Sequence, residues 1–298
     1  MPKSNLLTQI LSIIKLARPL ILLSTFSAWL LGVAISFGLG FEFKPYSFCI
    51  GLSSMLLAAS SIHFVNEYAD YETDALTKRT AYSGGSGIIQ TGNITRQSVL
   101  HYAVITALAA LTLQVFAVIY GCQTWETILI LIIGTIGGWI YSLPPSLAWR
   151  GLGEAWNTLL VAWLLPFYGF VQMSRTTDTW VLWAVLPVTF LAFNNLLGVT
   201  WSDRAADQAV GKKTLATRLE PSTLRTLYLI CAILSFAALL ITDYPPPVFA
   251  LSLIAYPLSA MGWRGYTKKE GAGWTVSATH TLIVAQIVAW IYHGLLTL

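Results

Sequence analysis

Four carboxylates lie within nine residues in the stretch from Asn66 to Asp74, directly after about twenty apolar residues. Asn66, Asp70 and Asp74 are spaced four residues apart, which on a helix places them in one column, about 6 Å apart per step. So many acids together repel each other unless a cation neutralises them, and oxygen ligands of this kind suit Mg²⁺. Taken alone, the stretch is also compatible with ordinary surface carboxylates at a solvated helix end.

A second acidic pair, Asp203 and Asp207, follows another apolar segment with the same four-residue spacing. A basic segment follows both acidic stretches. Two Mg²⁺ ions bridging a diphosphate would balance these charges, since carboxylates hold the metals and Lys or Arg bind the remaining phosphate oxygens. Such a site stabilises a departing diphosphate and favours ionisation of a C–O bond to an allylic carbocation.

The composition is that of a polytopic membrane protein. Of the 298 residues, 56% are hydrophobic and only 10% are charged, and the mean hydropathy is +0.67. Soluble domains contain about a quarter charged residues, so a soluble enzyme is excluded. We expect the lipid bilayer as surroundings, and neither a nucleic acid nor an obligate protein partner. An isoprenoid tail between the helices would explain why a diphosphate enzyme is embedded in a membrane.

The apolar segments predict an all-α bundle of nine transmembrane helices around a central cavity, because irregular backbone is not tolerated against lipid. Residues 1–298 are expected to form one membrane domain, in which residues 1–16 are an interfacial N-terminal helix. The predicted spans are 19–40, 46–66, 97–120, 125–142, 154–173, 178–200, 222–242, 247–263 and 274–296.

The distribution of Lys and Arg predicts the orientation. With nine spans, 15 of the 17 basic residues fall on the side of the N-terminus, and only Lys44 and Arg175 fall on the other side. Positive residues accumulate on the cytoplasmic side of membrane proteins. We therefore expect a multi-pass protein of the cell (inner) membrane, with the N-terminus and both acidic segments on the cytoplasmic side.

The two motifs resemble those of the UbiA superfamily of intramembrane aromatic prenyltransferases. The resemblance extends over essentially the whole chain, including Arg18-Pro19 before the first helix. It implies Mg²⁺-dependent transfer of a prenyl group from its diphosphate to an electron-rich aromatic ring. One position departs from the pattern, because many relatives carry Asn where this chain has Val199.

The resemblance implies a role for each matching residue. Catalytic residues and Mg²⁺ ligands are Asp70, Asp74, Asp203 and Asp207, with Asn66 as a further ligand. The diphosphate-binding residues are Arg18, Lys78, Arg79, Lys212 and Asn66. Apart from the resemblance, we expect Tyr68, Tyr141, Asn194 and Asn195 to line the cavity or contact the acceptor, and the tyrosine rings could shield a carbocation. Glu67 and Glu72 lie off the four-residue column and are expected not to bind the metal directly.

Two further segments concern the branch of the family and the loop that follows the first acidic stretch. Tyr141-Ser142-Leu143-Pro144-Pro145, followed by Arg150-Gly151-Leu152-Gly153-Glu154, is similar to the branch that prenylates 1,4-dihydroxy-2-naphthoate, a quinone precursor on the way to menaquinone. Glu154 contacts the acceptor or simply favours the dipole of its helix. The segment Ser83-Gly84-Gly85-Ser86-Gly87 is either a lid over the site or a linker.

Two other functions remain open at this point. An intramembrane terpene cyclase would use the same metal site but quench the cation within its own chain. A transporter or a non-catalytic membrane assembly factor would belong to another class, although the sequence shows no obvious internal repeat of the kind that many transporters contain.

Overall fold

The computed structural model describes residues 6–76, 79, 84–268 and 272–297, and among these residues it contains helices and no strands. The α-helices are, in chain order, α1 (Leu6–Leu16), α2 (Pro19–Gly38), α3 (Pro45–Ala69), α4 (Tyr71–Leu76), α5 (Arg96–Ile119), α6 (Trp125–Ser142), α7 (Gly153–Thr158), α8 (Leu165–Ser174), α9 (Trp180–Ala184), α10 (Leu186–Ala209), α11 (Leu215–Arg218), α12 (Pro221–Ile241), α13 (Pro246–Ser252), α14 (Ala255–Gly265) and α15 (Gly273–Thr297). A 3₁₀ turn at Leu147–Trp149 precedes α7, and a π-helical segment at Leu159–Leu164 joins α7 to α8.

Within the described residues, six helices are long and apolar enough to cross a membrane: α2, α3, α5, α6, α12 and α15. The other three predicted spans are divided into shorter helices or contain polar ends. Each interruption lies close before a proline (Pro166, Pro187 or Pro257), which lacks an N–H and clashes with the carbonyl four residues earlier. The all-helical membrane fold is therefore present, and the count of nine spans stays a prediction.

The helices pack around a core to which α2, α3, α8, α10 and α15 all contribute. The α2 helix packs against α8 and α15, α3 against α5, and α10 against α12 and α15. Small residues allow the first of these contacts, because a Cβ on Gly32 would lie 1.7 Å from the carbonyl oxygen of Pro166. Close backbone approach through glycine is typical of helix pairs in membranes.

The N-terminal helix α1 has one apolar face that is exposed. Leu7, Ile10, Leu11 and Ile14 are all exposed at helical spacing, whereas Leu16 is fully buried. This arrangement is typical of a helix that lies in the membrane interface. The interfacial helix remains a prediction, since residues 1–5 lie outside the described residues.

The acidic stretch from Asn66 to Asp74 does not form one uninterrupted helix. The α3 helix ends at Ala69, and Asp70 lies between α3 and α4 with φ −88° and ψ 15°. The backbone N–H of Asp70 nevertheless donates to the carbonyl of Asn66, and that of Asp74 to the carbonyl of Asp70, both at 2.8 Å. Because these two hydrogen bonds keep the helical register, the predicted column persists across a local bend.

Candidate active site

A cavity of about 370 Å³ lies inside the bundle, between α2, α3, α6, α7, α8, α10 and α15. We call one end the polar end, which is formed by Asp70, Asp74, Asp203, Asp207 and Lys212. We call the opposite end the deep end, which is formed by Met55, Ile130, Leu131, Leu165 and Tyr168. A charged mouth above an apolar interior suits an amphipathic substrate with an anionic head and a hydrocarbon tail.

Lys212 connects the two acidic clusters at the polar end. Its Nζ lies 3.7 Å from Oδ1 of Asp70 and 3.7 Å from Oδ1 of Asp207, so one ammonium stands between carboxylates that are 137 positions apart in sequence. The residues Asn195, Val199, Asp203 and Asp207, at four-residue steps along α10, all line the cavity. The fold therefore brings the two predicted motifs to a single site.

Glu154 holds the loop that carries Lys212. Its side chain is 2% exposed, and its Oε1 accepts a hydrogen bond of 2.8 Å from the backbone N–H of Leu215. This contact joins the start of α7 to the segment after α10. The interaction gives Glu154 a structural role in placing Lys212, and Glu154 itself is not among the residues that line the cavity.

Arg18 occupies the opposite side of the polar end. Its Nε donates to Oε1 of Glu67 at 2.6 Å, and its Nη2 lies 3.4 Å from Oδ2 of Asp74. The backbone of Arg18 is left-handed, with φ 51°, directly before Pro19 at the start of α2. An arginine held between two carboxylates at a cavity mouth is well placed to exchange them for phosphate oxygens.

Glu67 makes contacts that the sequence pattern did not reveal. Besides Arg18, it accepts hydrogen bonds from Ser86, with the backbone N–H at 2.7 Å from Oε1 and the hydroxyl at 2.6 Å from Oε2. The side chain of Glu67 is 2% exposed and does not line the cavity. We name this arrangement of Arg18, Glu67 and Ser86 the Glu67 clasp. No local sequence motif predicts the Glu67 clasp, because Arg18 and Ser86 come from distant segments.

The glycine-rich segment packs against the acidic stretch. Gly85 has φ +63°, and a Cβ added there would lie 2.1 Å from Oδ2 of Asp74. Ile88 and Ile89, which follow it, are buried against Phe64 on α3. Ser83 lies outside the described residues, but residues 84–87 are held by the Glu67 clasp, so a close-fitting cover describes them better than a free linker.

The electrostatics of the polar end favour a bound cation. Burial raises the pKa of Asp74 to about 7, although Arg18 opposes the shift, and burial raises the pKa of Asp207 to about 6, although Lys212 opposes it. Burial lowers the pKa of Lys212, but Asp70 and the neighbouring acids outweigh this and raise it overall. A cation bound between these carboxyls would favour their charged form and lower both pKa values.

The donor set fits Mg²⁺ with a phosphate substrate. Among the described residues, no group of three or more His, Cys, Asp or Glu side chains is arranged to hold a metal ion by itself. Mg²⁺ is usually bound by one or two carboxylates, with water and substrate phosphates completing its octahedron. Asn66 keeps Asp70 in place, since its Nδ2 donates to Oδ2 of Asp70 at 2.7 Å and to the Ser142 hydroxyl at 3.1 Å.

Several predicted site residues lie away from the cavity. Tyr68, two residues after Asn66 and so about 200° around α3, packs under the Arg96 guanidinium at 4.6 Å from the ring centroid. Asn194 is buried behind α10, where its Nδ2 donates to the Tyr228 carbonyl. Arg79 is exposed and donates to the Gly84 carbonyl at 3.3 Å. Lys78 lies outside the described residues.

Two predicted acceptor residues do line the cavity. Tyr141 on α6 and Asn195 on α10 both contribute to its wall. Tyr141 lies next to Ser142, at the level of the carboxylates, whereas Asn195 lies two helical turns below Asp203, about 12 Å deeper along α10. The two side chains therefore mark different depths of the same cavity.

Comparison with solved structures shows the same architecture in other proteins. A UbiA homologue from Archaeoglobus fulgidus bound to DMAPP and Mg²⁺ is 19% identical, with a TM-score of 0.65 over 94% of this chain and 99% of that chain. A structure of digeranylgeranylglyceryl phosphate synthase is 14% identical, with a TM-score of 0.67 over 96% and 99%. A UbiA homologue from Aeropyrum pernix K1 is 15% identical, with a TM-score of 0.67 over 92% and 97%.

The sequence itself carries the assignment of the family. No curated protein sequence matches the chain. Residues 20–286, however, match the profile of the UbiA prenyltransferase family, which is nearly the whole length of the helical bundle. The chain belongs to the UbiA prenyltransferase family, whose members are enzymes.

Proposed function

We propose that the protein transfers a prenyl group from its diphosphate to an aromatic acceptor in a Mg²⁺-dependent reaction. The observation that carries this proposal is the placement of Lys212 between Asp70 and Asp207, at the mouth of an apolar cavity. Two acidic clusters that converge there would hold the metal ions. The apolar walls below would hold the prenyl chain.

The charge balance of the cavity supports the metal site. Among the described residues that line it, four carboxylates face two permanently cationic side chains, Arg18 and Lys212. Asp70 and Asp74 on one side, and Asp203 and Asp207 on the other, supply the one or two carboxylates that Mg²⁺ takes from a protein. Mg²⁺, when bound, would neutralise the diphosphate oxygens while the C–O bond ionises.

Arg18 and Lys212 are the described side chains that would bind the remaining diphosphate oxygens. Arg18 Nη2 lies 3.4 Å from Asp74 and Lys212 Nζ lies 3.7 Å from Asp70, and charge-assisted hydrogen bonds to phosphate would replace these contacts. Residues 84–87 lie against Asp74 and would exclude water from the ionising bond. Protection from water matters because water adds to an allylic cation and gives the prenyl alcohol and a proton instead of the prenylated acceptor.

For the acceptor we propose 1,4-dihydroxy-2-naphthoate or a related quinone precursor. The similarity of residues 141–154 to that branch supports this choice, and Tyr141 contributes to the cavity wall beside the carboxylates. The aromatic carbon that attacks must reach the ionised carbon at this level. We place the reaction at the cytoplasmic face of the cell membrane, on the basis of the distribution of Lys and Arg.

Reconstitution with separate acceptors tests the proposal. The purified protein in liposomes receives Mg²⁺, one prenyl diphosphate and, in parallel, dihydroxynaphthoate, 4-hydroxybenzoate, homogentisate, glycerol phosphate or no acceptor, and mass spectrometry identifies the products. We expect a prenylated naphthoquinone precursor. A hydrocarbon formed without acceptor would indicate a cyclase, and a product with glycerol phosphate alone would replace the aromatic acceptor by a lipid precursor. Absence of every product would contradict prenyl transfer.

A further inference from the structure

A cluster of buried amides lies behind the deep end of the cavity. It consists of Gln114, Gln123 and Gln172, which come from three separate segments, and we call it the glutamine cluster. Gln114 and Gln172 are 0% exposed, and Gln123 is 4% exposed. The catalytic proposal uses none of these residues.

Tyr168 connects the glutamine cluster to the cavity. Its hydroxyl donates to Oε1 of Gln114 at 2.8 Å and lies 3.1 Å from the hydroxyl of Ser54. Tyr168 also lines the cavity, together with Met55 and Leu165. The ring of Tyr168 therefore has the apolar cavity on one side and a layer of hydrogen-bonded polar side chains on the other.

The polar layer is held by partners on every side. Oε1 of Gln172 accepts from Trp29 Nε1 at 2.7 Å, Nε2 of Gln114 donates to the Thr127 hydroxyl at 2.6 Å and also to Gln123, and Nε2 of Gln123 donates to the Ser47 carbonyl at 3.0 Å. A hydrocarbon chain that entered this layer would break such bonds without replacing them. Unpaired buried amides are costly, so the layer is a barrier to an apolar tail.

The distance from the polar end to this barrier follows from residue positions along two helices, α3 and α6. On α3, Met55 at the deep end precedes Asn66 by eleven residues, which is about 16 Å along the helix. On α6, Ile130 precedes Ser142 by twelve residues, which is about 18 Å. Both helices therefore indicate the same depth for the apolar part of the cavity.

This depth limits the length of an extended tail. An extended chain advances about 1.2 Å per bond, as a protein backbone does, so a four-bond isoprene unit takes up about 5 Å. A depth of about 16–18 Å thus holds three to four units, or 15–20 carbons. The volume of about 370 Å³ lies at the small end of the range for ligand cavities, which agrees with a short chain.

We propose that Tyr168, supported by the glutamine cluster, closes the deep end and makes this enzyme selective for prenyl diphosphates of about three to four isoprene units. The inference rests on the proposed function. Tyr168 acts as a determinant of specificity and not as a catalytic residue, because it lies far from the carboxylates.

The test measures binding, so it does not require the acceptor to be known. Non-hydrolysable thiolodiphosphates with 10, 15, 20, 30 and 40 carbons compete, in the presence of Mg²⁺, for the purified full-length protein. We expect affinity to rise up to 15 or 20 carbons and to fall by at least about tenfold at 30. If none of the analogues binds, the proposed function fails as a whole. If they bind with affinities that keep rising to 40 carbons, only the present inference fails.

Two variants change the depth in opposite directions. Tyr168→Ala removes the barrier ring and should move the preferred length up by at least one unit. Ala58→Leu adds bulk to the cavity wall, about 12 Å from Asn66 along α3, and should move it down by one unit. Ala58→Leu keeps the idea testable if Tyr168→Ala does not fold. Unchanged length preference in the folded variants would overturn the inference.

Tyr256→Ala is the matched control for Tyr168→Ala. The hydroxyl of Tyr256 also contacts a buried serine, Ser235, at 3.0 Å, but Tyr256 does not line the cavity. The substitution Tyr256→Ala should therefore lower the stability of the protein without changing the preferred length of the prenyl chain. Tyr168→Phe keeps the ring and should retain the length preference of the native protein, whereas a shift equal to that of Tyr168→Ala would contradict a barrier formed by the ring.

Discussion

The polar end and the deep end of the cavity both bury polar side chains in an apolar bundle, yet they differ in how those side chains are satisfied. At the deep end, the glutamine cluster consists of neutral groups whose hydrogen bonds go to other parts of the protein. At the polar end, four carboxylates share two cationic side chains, Arg18 and Lys212, and burial raises the pKa values of Asp74 and Asp207.

This difference in how buried polar groups are satisfied indicates that the deep end serves the fold and the polar end serves the reaction. A satisfied neutral network stabilises the fold, since its members lose their partners when the helices separate. An excess of buried charge of one sign costs stability and is retained where a ligand of the opposite charge binds. We therefore expect changes at the polar end to affect activity, and changes at the deep end to affect stability and specificity.

The largest effect should come from removing the metal. Chelation of Mg²⁺ by EDTA should reduce prenyl transfer by more than about a hundredfold, because Arg18 and Lys212 alone do not balance the charge of the diphosphate together with four carboxylates. Added Mg²⁺ should restore the rate. Mg²⁺ together with inorganic pyrophosphate should also raise the unfolding temperature, since both bind only the folded state. Full activity in EDTA would contradict a metal site at the polar end, and with it the proposed difference between the two ends of the cavity.

Asp70→Asn and Asp203→Asn should each lower kcat/KM by about 10²–10⁴, because each removes a carboxylate from one of the two acidic clusters. The unfolding temperature of either variant should stay the same or rise, since like charges repel less. Steady-state kinetics and thermal unfolding in detergent measure both quantities. The control is Asp243→Asn, the same substitution at an exposed loop position. Native rates in both Asp70→Asn and Asp203→Asn would show that the site is misassigned.

Glu67→Gln should raise the KM for the prenyl diphosphate about tenfold and change kcat less. The amide has one acceptor oxygen instead of two and no charge, so it cannot hold Arg18 and Ser86 together as the carboxylate does. Kinetics at varied prenyl diphosphate concentration measure the effect. Glu72→Gln, at an exposed position of the same stretch, should behave like the native protein. Equal effects of the two substitutions would refute a specific role for the Glu67 clasp.

Gln172→Leu should have the smallest effect on activity and a clear effect on stability. It leaves Trp29 Nε1 without its acceptor, which should lower the free energy of unfolding by about 1–2 kcal/mol. The kcat should remain within about twofold of the native value, because the carboxylates are far away. Gln97→Leu, at an exposed position of α5, is the control for the same change of side chain. A large loss of kcat with native stability would reverse the proposed division between the two ends.

Much of the fold was predictable because it depends on local patterns. Apolar runs located α2, α3, α5, α6, α12 and α15 to within three residues at each end, since a helix in lipid must satisfy its own backbone hydrogen bonds. The interrupted segments were harder to predict, because a proline changes the helix without changing the hydrophobicity. The count of spans depends on how those segments cross the membrane.

The predicted site shows the same division. Four-residue spacing was sufficient to select Asn66, Asp70, Asp74, Asp203 and Asp207, all of which line the cavity. Tyr68 and Asn194 were selected by proximity in sequence, and they failed because one or two residues turn a helix by about 100–200°. The glutamine cluster could not be found at all, since its three members are separated in the chain and follow no period.

The sequence by itself determined the class of the protein, the ends of the six long apolar helices and the identity of the charged groups, because these follow from composition and from spacing within one segment. Only the tertiary structure decided which of those groups meet. Lys212 stands between Asp70 and Asp207, Glu67 joins Arg18 to Ser86, and the Tyr168 hydroxyl donates to Gln114. Such contacts depend on how separate helices pack together, and no pattern within a single segment encodes that packing.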